Sequence, residues 1–242
     1  MNNTCSLAEI DVVHIWEISL AETELDLPEL LSDDELARFG SISHQPSRIR
    51  FLRSRTALRL ILASYLGRSA AELDFIYGEN GKPELETATI PAVFFNLSHT
   101  GNRCLLAVTA ENNVGIDIEL FQSGRDHAAL AERFFTRKES LLLEENDVLF
   151  YWLWTLKEAS VKAFGMKLLA GLDRFECQSD ENGGFSVVDK QLQQQNKWSM
   201  KQWQPDANSV AAVVVDSPWA EFIEKILKQE DIPGFYSIGR PV

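Results

Sequence analysis

Three cysteines in 242 residues, Cys5, Cys104 and Cys177, are too few and too scattered for a disulfide framework. This usage fits a reducing, cytoplasmic setting. Cys104, inside an apolar run, is expected to be a small buried residue. No apolar stretch approaches the roughly 18 residues of a membrane-spanning helix. The opening MNNTCSLAEIDV has no basic-plus-apolar leader, so neither a membrane span nor an export signal is expected. Positive charge is also scarce: the formal net charge of −13 speaks against a general nucleic-acid binder. Acid is missing in one place. Between His44 and Ala71 there is no Asp or Glu, while Arg48, Arg50, Arg53, Arg55, Arg59 and Arg68 all fall there. That stretch reads either as a solvated basic helix face or as a surface for an anionic small ligand or an acidic partner.

The rest of the composition, 45% hydrophobic, is that of a globular chain with a real core, long enough for one large or two small domains. Two stretches carry its chemistry. Tyr151 to Gly165 (YWLWTLKEASVKAFG) reads as a helix. Asn146 and Asp147 cap its start, and Gly165 stops it. Its first half, from Val148 to Trp154, is apolar all round, which predicts burial. Glu158 and Lys162 lie one turn apart on one face, with Trp154 a turn before them. Read alone, this is equally an ordinary surface ion pair or a functional pair. The second stretch, Val114 to Leu120 (VGIDIEL), reads as a strand that projects Asp117 and Glu119 from the same side. Like charges side by side are tolerated most easily when solvated or when they hold a cation. Together with Glu158 they would form an all-oxygen site suited to Mg²⁺ and not to zinc.

Elsewhere the patterns predict strands over 11–20, 74–77, 93–97, 103–110, 173–178, 184–188, 197–204 and 210–215. Helices are expected over 28–39 (Ser32 capping), 47–66, 126–135, 136–144 and, closing the chain, 219–228. The turn-rich GENGKP loop, Gly78 to Pro83, is expected to leave Lys82 exposed. Each half then has one long helix beside short-linked strands. This predicts an α+β fold of two similar, pseudo-twofold subdomains, each a mostly antiparallel sheet on a long helix. The expected division is 1–113 and 114–242, with a ligand cleft between the halves.

The stretches NGKP, FNLSHTG, GIDIE and WTLKEASVKAFG occur in that order, preceded by RFLRSRTALR. This set resembles the 4′-phosphopantetheinyl transferases of the surfactin-synthetase-activating type, over about Arg50 to Phe175. The resemblance implies coenzyme A bound between two related halves, with its phosphopantetheine passed to a serine of an acyl or peptidyl carrier protein. It also implies Mg²⁺, with Mn²⁺ as a substitute, held by Asp117, Glu119 and Glu158. By the same resemblance Ser98 and His99 would meet the 3′-phosphate of coenzyme A with Arg50 and Arg55. Lys82 and Pro83 would line the nucleotide end. Lys162, with Lys157, would contact the pyrophosphate. Arginine suits phosphate because its fork donates two parallel hydrogen bonds. Glu158 is the expected base for the serine proton, acting directly or through a metal-bound water, and Lys162 the expected support for the diphosphate oxygens.

Phe121 to Phe135 would help receive the carrier through Arg125, Arg133 and apolar side chains, although Leu130 and Phe134 are equally expected in the core. The two-half length suggests a monomer. One departure stands out: where the family continues Gly-x-Gly-Leu, this chain reads Gly165-Met166-Lys167-Leu168, which would strain Lys167 if that position needs a positive φ. Two rival readings use the same residues: a Mg²⁺-dependent phosphohydrolase acting on coenzyme A, and a non-catalytic coenzyme A binder.

Overall fold

The computed structural model describes residues 12–78, 81–86, 93–110, 112–122, 124, 126–143, 147–179, 184–191, 198–218 and 220–227. Cys5, Arg125, Asn146 and most of the Gln191–Gln195 run lie outside them.

The first half begins with strand β1 (Val12–Ser19), then helix α1 (Asp33–Ser41) and long helix α2 (Gln45–Leu66). A small hairpin, β2 (Phe75–Tyr77) and β3 (Pro83–Leu85), leads to β4 (Phe94–Thr100) and β5 (Arg103–Thr109). The second half repeats the order. Strand β6 (Val114–Leu120) is followed by short helices α3 (His127–Phe134) and α4 (Arg137–Leu142), then long helix α5 (Asp147–Ala163). After one helical turn, α6 (Leu168–Gly171), come hairpin β7 (Phe175–Ser179) and β8 (Phe185–Asp189), then β9 (Ser199–Asp206) and β10 (Ser209–Val215).

The sheet orders match as well. The first sheet runs β1-β5-β4 and the second β6-β10-β9, all antiparallel. This bears out the expected fold of two similar subdomains, with one addition and one correction. The closing helix expected over 219–228 is instead a strand, β11 (Glu221–Ile226), paired in parallel with β1. Within it Glu221 and Glu224 are exposed, while Lys225 lies over the Trp16 ring of β1. It also sits beyond residue 113, yet completes the sheet of the first half.

Alternation along the strands organises three cores. Trp16, Ile18 and Leu106 face α2 with Leu58, Ile61 and Leu62. Val210, Ala212 and Val214 face α5 with Leu153, Leu156 and Ala159. The other strand faces meet each other, Val13, Ile15 and Leu105 against Ile116, Ile118 and Val213. The order of layers is helix, sheet, sheet, helix. The edge strands β4 and β6 meet at the seam, where the Ile116 N–H donates to the Asn96 side-chain oxygen at 2.9 Å. Cys104 is buried, as expected, and Cys177 with it. No helix among the described residues is long and apolar enough to cross a membrane.

Each long helix is keyed to its half by a buried cation. Ser32 and Thr136 open α1 and α4 with capping boxes. The glutamate that closes each box also reaches a long helix: Glu35 accepts from Arg59 at 2.7 Å, and Glu139 accepts from Lys157 at 2.9 and 3.1 Å. All four side chains are at most 1% exposed.

Candidate active site

Gly115 positions the site. A Cβ there would stand 2.0 Å from the Ala159 carbonyl oxygen and 2.4 Å from the Ala163 nitrogen, so β6 lies directly on the α5 backbone. The side chains two and four residues further along share that face, so Asp117 and Glu119 point at α5. They meet Glu158 there. One carboxylate oxygen from each of the three lies within 4.8 Å of the others.

Lys162 sits among them. Its ammonium donates to Asp117 Oδ1 at 2.6 Å and pairs with Glu158 Oε2 at 3.4 Å, the expected one-turn pair. From the first sheet, the Ser98 hydroxyl donates to the same Asp117 oxygen at 2.8 Å. His99 faces the α2 side of β4. Its imidazole is pushed below its ordinary value by desolvation and then by the positive charges of Arg50, Lys162 and Arg55. The seam thus joins one anionic and one cationic wall.

The electrostatics fit a divalent cation. With all three acids ionised, the one ammonium would leave two negative charges for a cation to compensate. Burial, then the Asp117 charge, push the Glu158 carboxyl up to about 8 against the pull of Lys162, with Glu119 adding to the rise. Burial acts against the Lys162 ammonium, but Asp117 and Glu158 outweigh it and hold its value above the ordinary lysine range. Asp117 Oδ2 is buried and has no hydrogen-bond donor among the described residues. An orphaned carboxylate oxygen in a cluster of acids is what an ion would satisfy. Opposite corners of a Mg²⁺ octahedron are about 4 Å apart, close to the spread seen here.

The structure corrects several sequence expectations. Lys157 does not face the cleft: its ammonium is fully buried on Glu139, whose oxygens also accept from the Cys177 and Thr136 N–H groups. Lying next to Glu158 in sequence, it is rotated by about 100° to the other side of the helix. Arg59 is likewise internal, bonded to Glu35 and to the Ala70 and Leu73 carbonyls, so the arginine-rich stretch is not one solvated basic face. Arg53 is tied to Asp26. Arg50 donates to Ser47, and Arg55 lies between the Phe51 and Tyr77 rings with Glu35 3.9 Å away; the charges of both reach His99. Lys82 is half-buried rather than exposed. Its ammonium donates to the Val114 and Lys162 carbonyls, and burial pushes its pKa down against the pull of Glu84. Pro83 begins β3. Phe134 is buried against Trp154, and Leu130 packs on the same core. Lys167 is unstrained at φ −66°, since Gly165, at φ +59°, makes the left-handed turn.

Three contributors were not foreseen. Asn96 could have been found as the polar inward residue of FNLSHTG. Gly115 could have been found as a glycine inside a strand pattern. Glu139 could have been found as the last residue of the TRKE capping box.

Comparison with known proteins accords with this geometry. The family model of the 4′-phosphopantetheinyl transferase superfamily matches residues 113–215, which hold all three carboxylates. The 4′-phosphopantetheinyl transferase HetI of Nostoc sp. (strain PCC 7120) is 37% identical over 214 residues, 85% of this chain and 88% of its own length. The 4′-phosphopantetheinyl transferase Sfp of Bacillus subtilis (strain 168) is 31% identical over 174 residues, 65% of this chain and 75% of its own. A phosphopantetheinyl transferase of Thraustochytrium is 27% identical over 226 residues, 84% of this chain and 78% of its own. The chain belongs to the 4′-phosphopantetheinyl transferase family and is an enzyme of this kind.

Proposed function

We propose that this chain, as a transferase of the surfactin-synthetase-activating type, moves the 4′-phosphopantetheine group of coenzyme A to a serine of an apo acyl or peptidyl carrier protein. The carrying observation is the convergence of Asp117, Glu119, Glu158 and Lys162 on one seam, facing Ser98 and the Arg50–His99 wall. Coenzyme A bears two separated groups of phosphate oxygens. The Arg50, Arg55 and His99 wall, with Ser98, suits its 3′-phosphate. Lys162, three donors on one point charge, suits the diphosphate.

In the reaction the serine oxygen forms a bond to the β-phosphorus, the bond from that phosphorus to the bridging oxygen breaks, and 3′,5′-ADP leaves with that oxygen. Glu158 accepts the proton of the serine hydroxyl, and Lys162 meets the charge building on the diphosphate oxygens. Ser98 and Asp117 hold the Lys162 ammonium in place before substrate arrives. Mg²⁺ held by Asp117, Glu119 and Glu158 would supply Lewis-acid charge at those same oxygens.

The test is mass spectrometry of several apo-carrier proteins after incubation with coenzyme A and Mg²⁺. A gain of one phosphopantetheine on a carrier serine is expected. No gain on any carrier overturns the assignment, and release of phosphopantetheine without a carrier would favour the hydrolase.

A further inference from the structure

The Lys82 ammonium crosses the seam and lands on two backbone carbonyls, those of Val114 and Lys162, both at 3.2 Å. Val114 is the first residue of β6, and Lys162 lies one residue from the end of α5. This is also where strand and helix come closest, at Gly115 against Ala159 and Ala163. The Lys162 carbonyl lies in the last turn of α5, where it also accepts from the Gly165 N–H at 3.2 Å, and that turn carries the negative end of the helix dipole, so a cation is favoured there. An ammonium offers three donors from one point, and here it gives one to the strand and one to the helix.

We propose that Lys82 is a positioning residue: it clamps the last turn of α5 to the start of β6 and so sets the spacing of Glu158 and Lys162 from Asp117 and Glu119, taking as given the reading of these four as the reaction centre. The lever is short. Asp117 lies three residues beyond Val114 on the strand, and Glu158 one turn before Lys162 on the helix. Gly115 permits the close approach, and Lys82 supplies an attraction that keeps it closed. Because Lys82 leads into β3 of the first half, the half expected to hold the nucleotide also fixes the geometry at the attacked phosphorus.

A clamp and a nucleotide contact differ kinetically. Losing a ligand contact raises KM for coenzyme A, whereas a displacement on the order of 1 Å at the reacting groups lowers kcat by up to about 100-fold. Transfer kinetics, Mn²⁺ binding followed by the free-ion EPR signal, and thermal melts are measured on the full chain, as wild type, Lys82→Met and Lys82→Gln. In Lys82→Met, kcat is expected to fall roughly 10- to 100-fold with KM for coenzyme A within about threefold. Mn²⁺ affinity is expected to weaken by about fivefold or more. Lys82→Gln, whose amide can serve one carbonyl, shows the same pattern at smaller size and is the readout where Lys82→Met does not fold. A rise in KM of about tenfold at unchanged kcat overturns the clamp in favour of a ligand contact. Wild-type kcat and Mn²⁺ affinity in the folded variants overturn it outright. Absence of both Mn²⁺ binding and transfer in the wild type instead removes the carboxylate reading, and the clamp with it.

Discussion

When β5 is laid on β10 from their first residues, the strands that pair with them fall into step: His14, Trp16 and Ile18 of β1 take the places of Gly115, Asp117 and Glu119 of β6. In both halves these side chains face the long helix. The first half fills the space with rings: Tyr65 of α2 sits 2.6 Å from His14 Nδ1 and 2.8 Å from Trp16 Nε1. The second half leaves out a side chain at Gly115, draws the helix in, and turns two acids onto it. The buried keys, Glu35 with Arg59 and Glu139 with Lys157, are common to both. One frame therefore serves twice, and three positions on one strand decide whether it holds a closed core or a charged site.

The sharpest way to break this comparison is at the charged site itself. Glu158→Gln is expected to cut transfer by roughly 100- to 10,000-fold while coenzyme A binding, measured by calorimetry, stays within a few-fold. Wild-type turnover would remove Glu158 from the mechanism.

The shared keys come next. Leaving one charge of a buried pair unpaired costs roughly 3–5 kcal/mol. Lys157→Met and Arg59→Met should therefore lower stability by similar amounts in urea titrations. A loss confined to one of them would mean that the two keys are not equivalent. At Gly115 the clash is with backbone, which cannot rotate away, so Gly115→Ala should cost about 3 kcal/mol, at the upper end for overpacking. An unchanged melting temperature would show that strand and helix are not in close contact.

The smallest effect belongs to the closed cluster. Burial, then the charge of Lys225, lower the His14 pKa to about 4, from 6.5. The folded state holds the imidazole neutral, so its contribution is fully present above about pH 6.5 and is lost as pH falls toward 4. Between pH 7.5 and 5 this is worth at most about 2 kcal/mol. His14→Gln should flatten that part of the stability profile, and an unaltered slope would place the titration elsewhere.

How legible the molecule was depended on how far each partner lay along the chain. VGIDIEL and the Glu158–Lys162 pair were readable because period two and period 3.6 put the groups on one face without outside help. Ser32 was readable as a cap because its partner is three residues on. Lys157 was misread because its partner Glu139 lies 18 residues upstream, hidden in what reads as a local capping signal. Lys82 looked exposed because turn chemistry says nothing of carbonyls 32 and 80 residues away. The strand at Glu221–Ile226 is not legible locally, because its identity rests on β1, at the far end of the chain.

That last strand has a consequence for biosynthesis. β11 emerges from the ribosome after every other element described here, yet it docks beside the earliest one. Until it arrives, the outer rim of β1 presents unsatisfied amides and carbonyls, an invitation to pair with another nascent chain. Completion of the amino-terminal sheet is thus deferred until the carboxyl-terminal half has been made, and cutting the gene between the halves would leave the first fragment with an open edge.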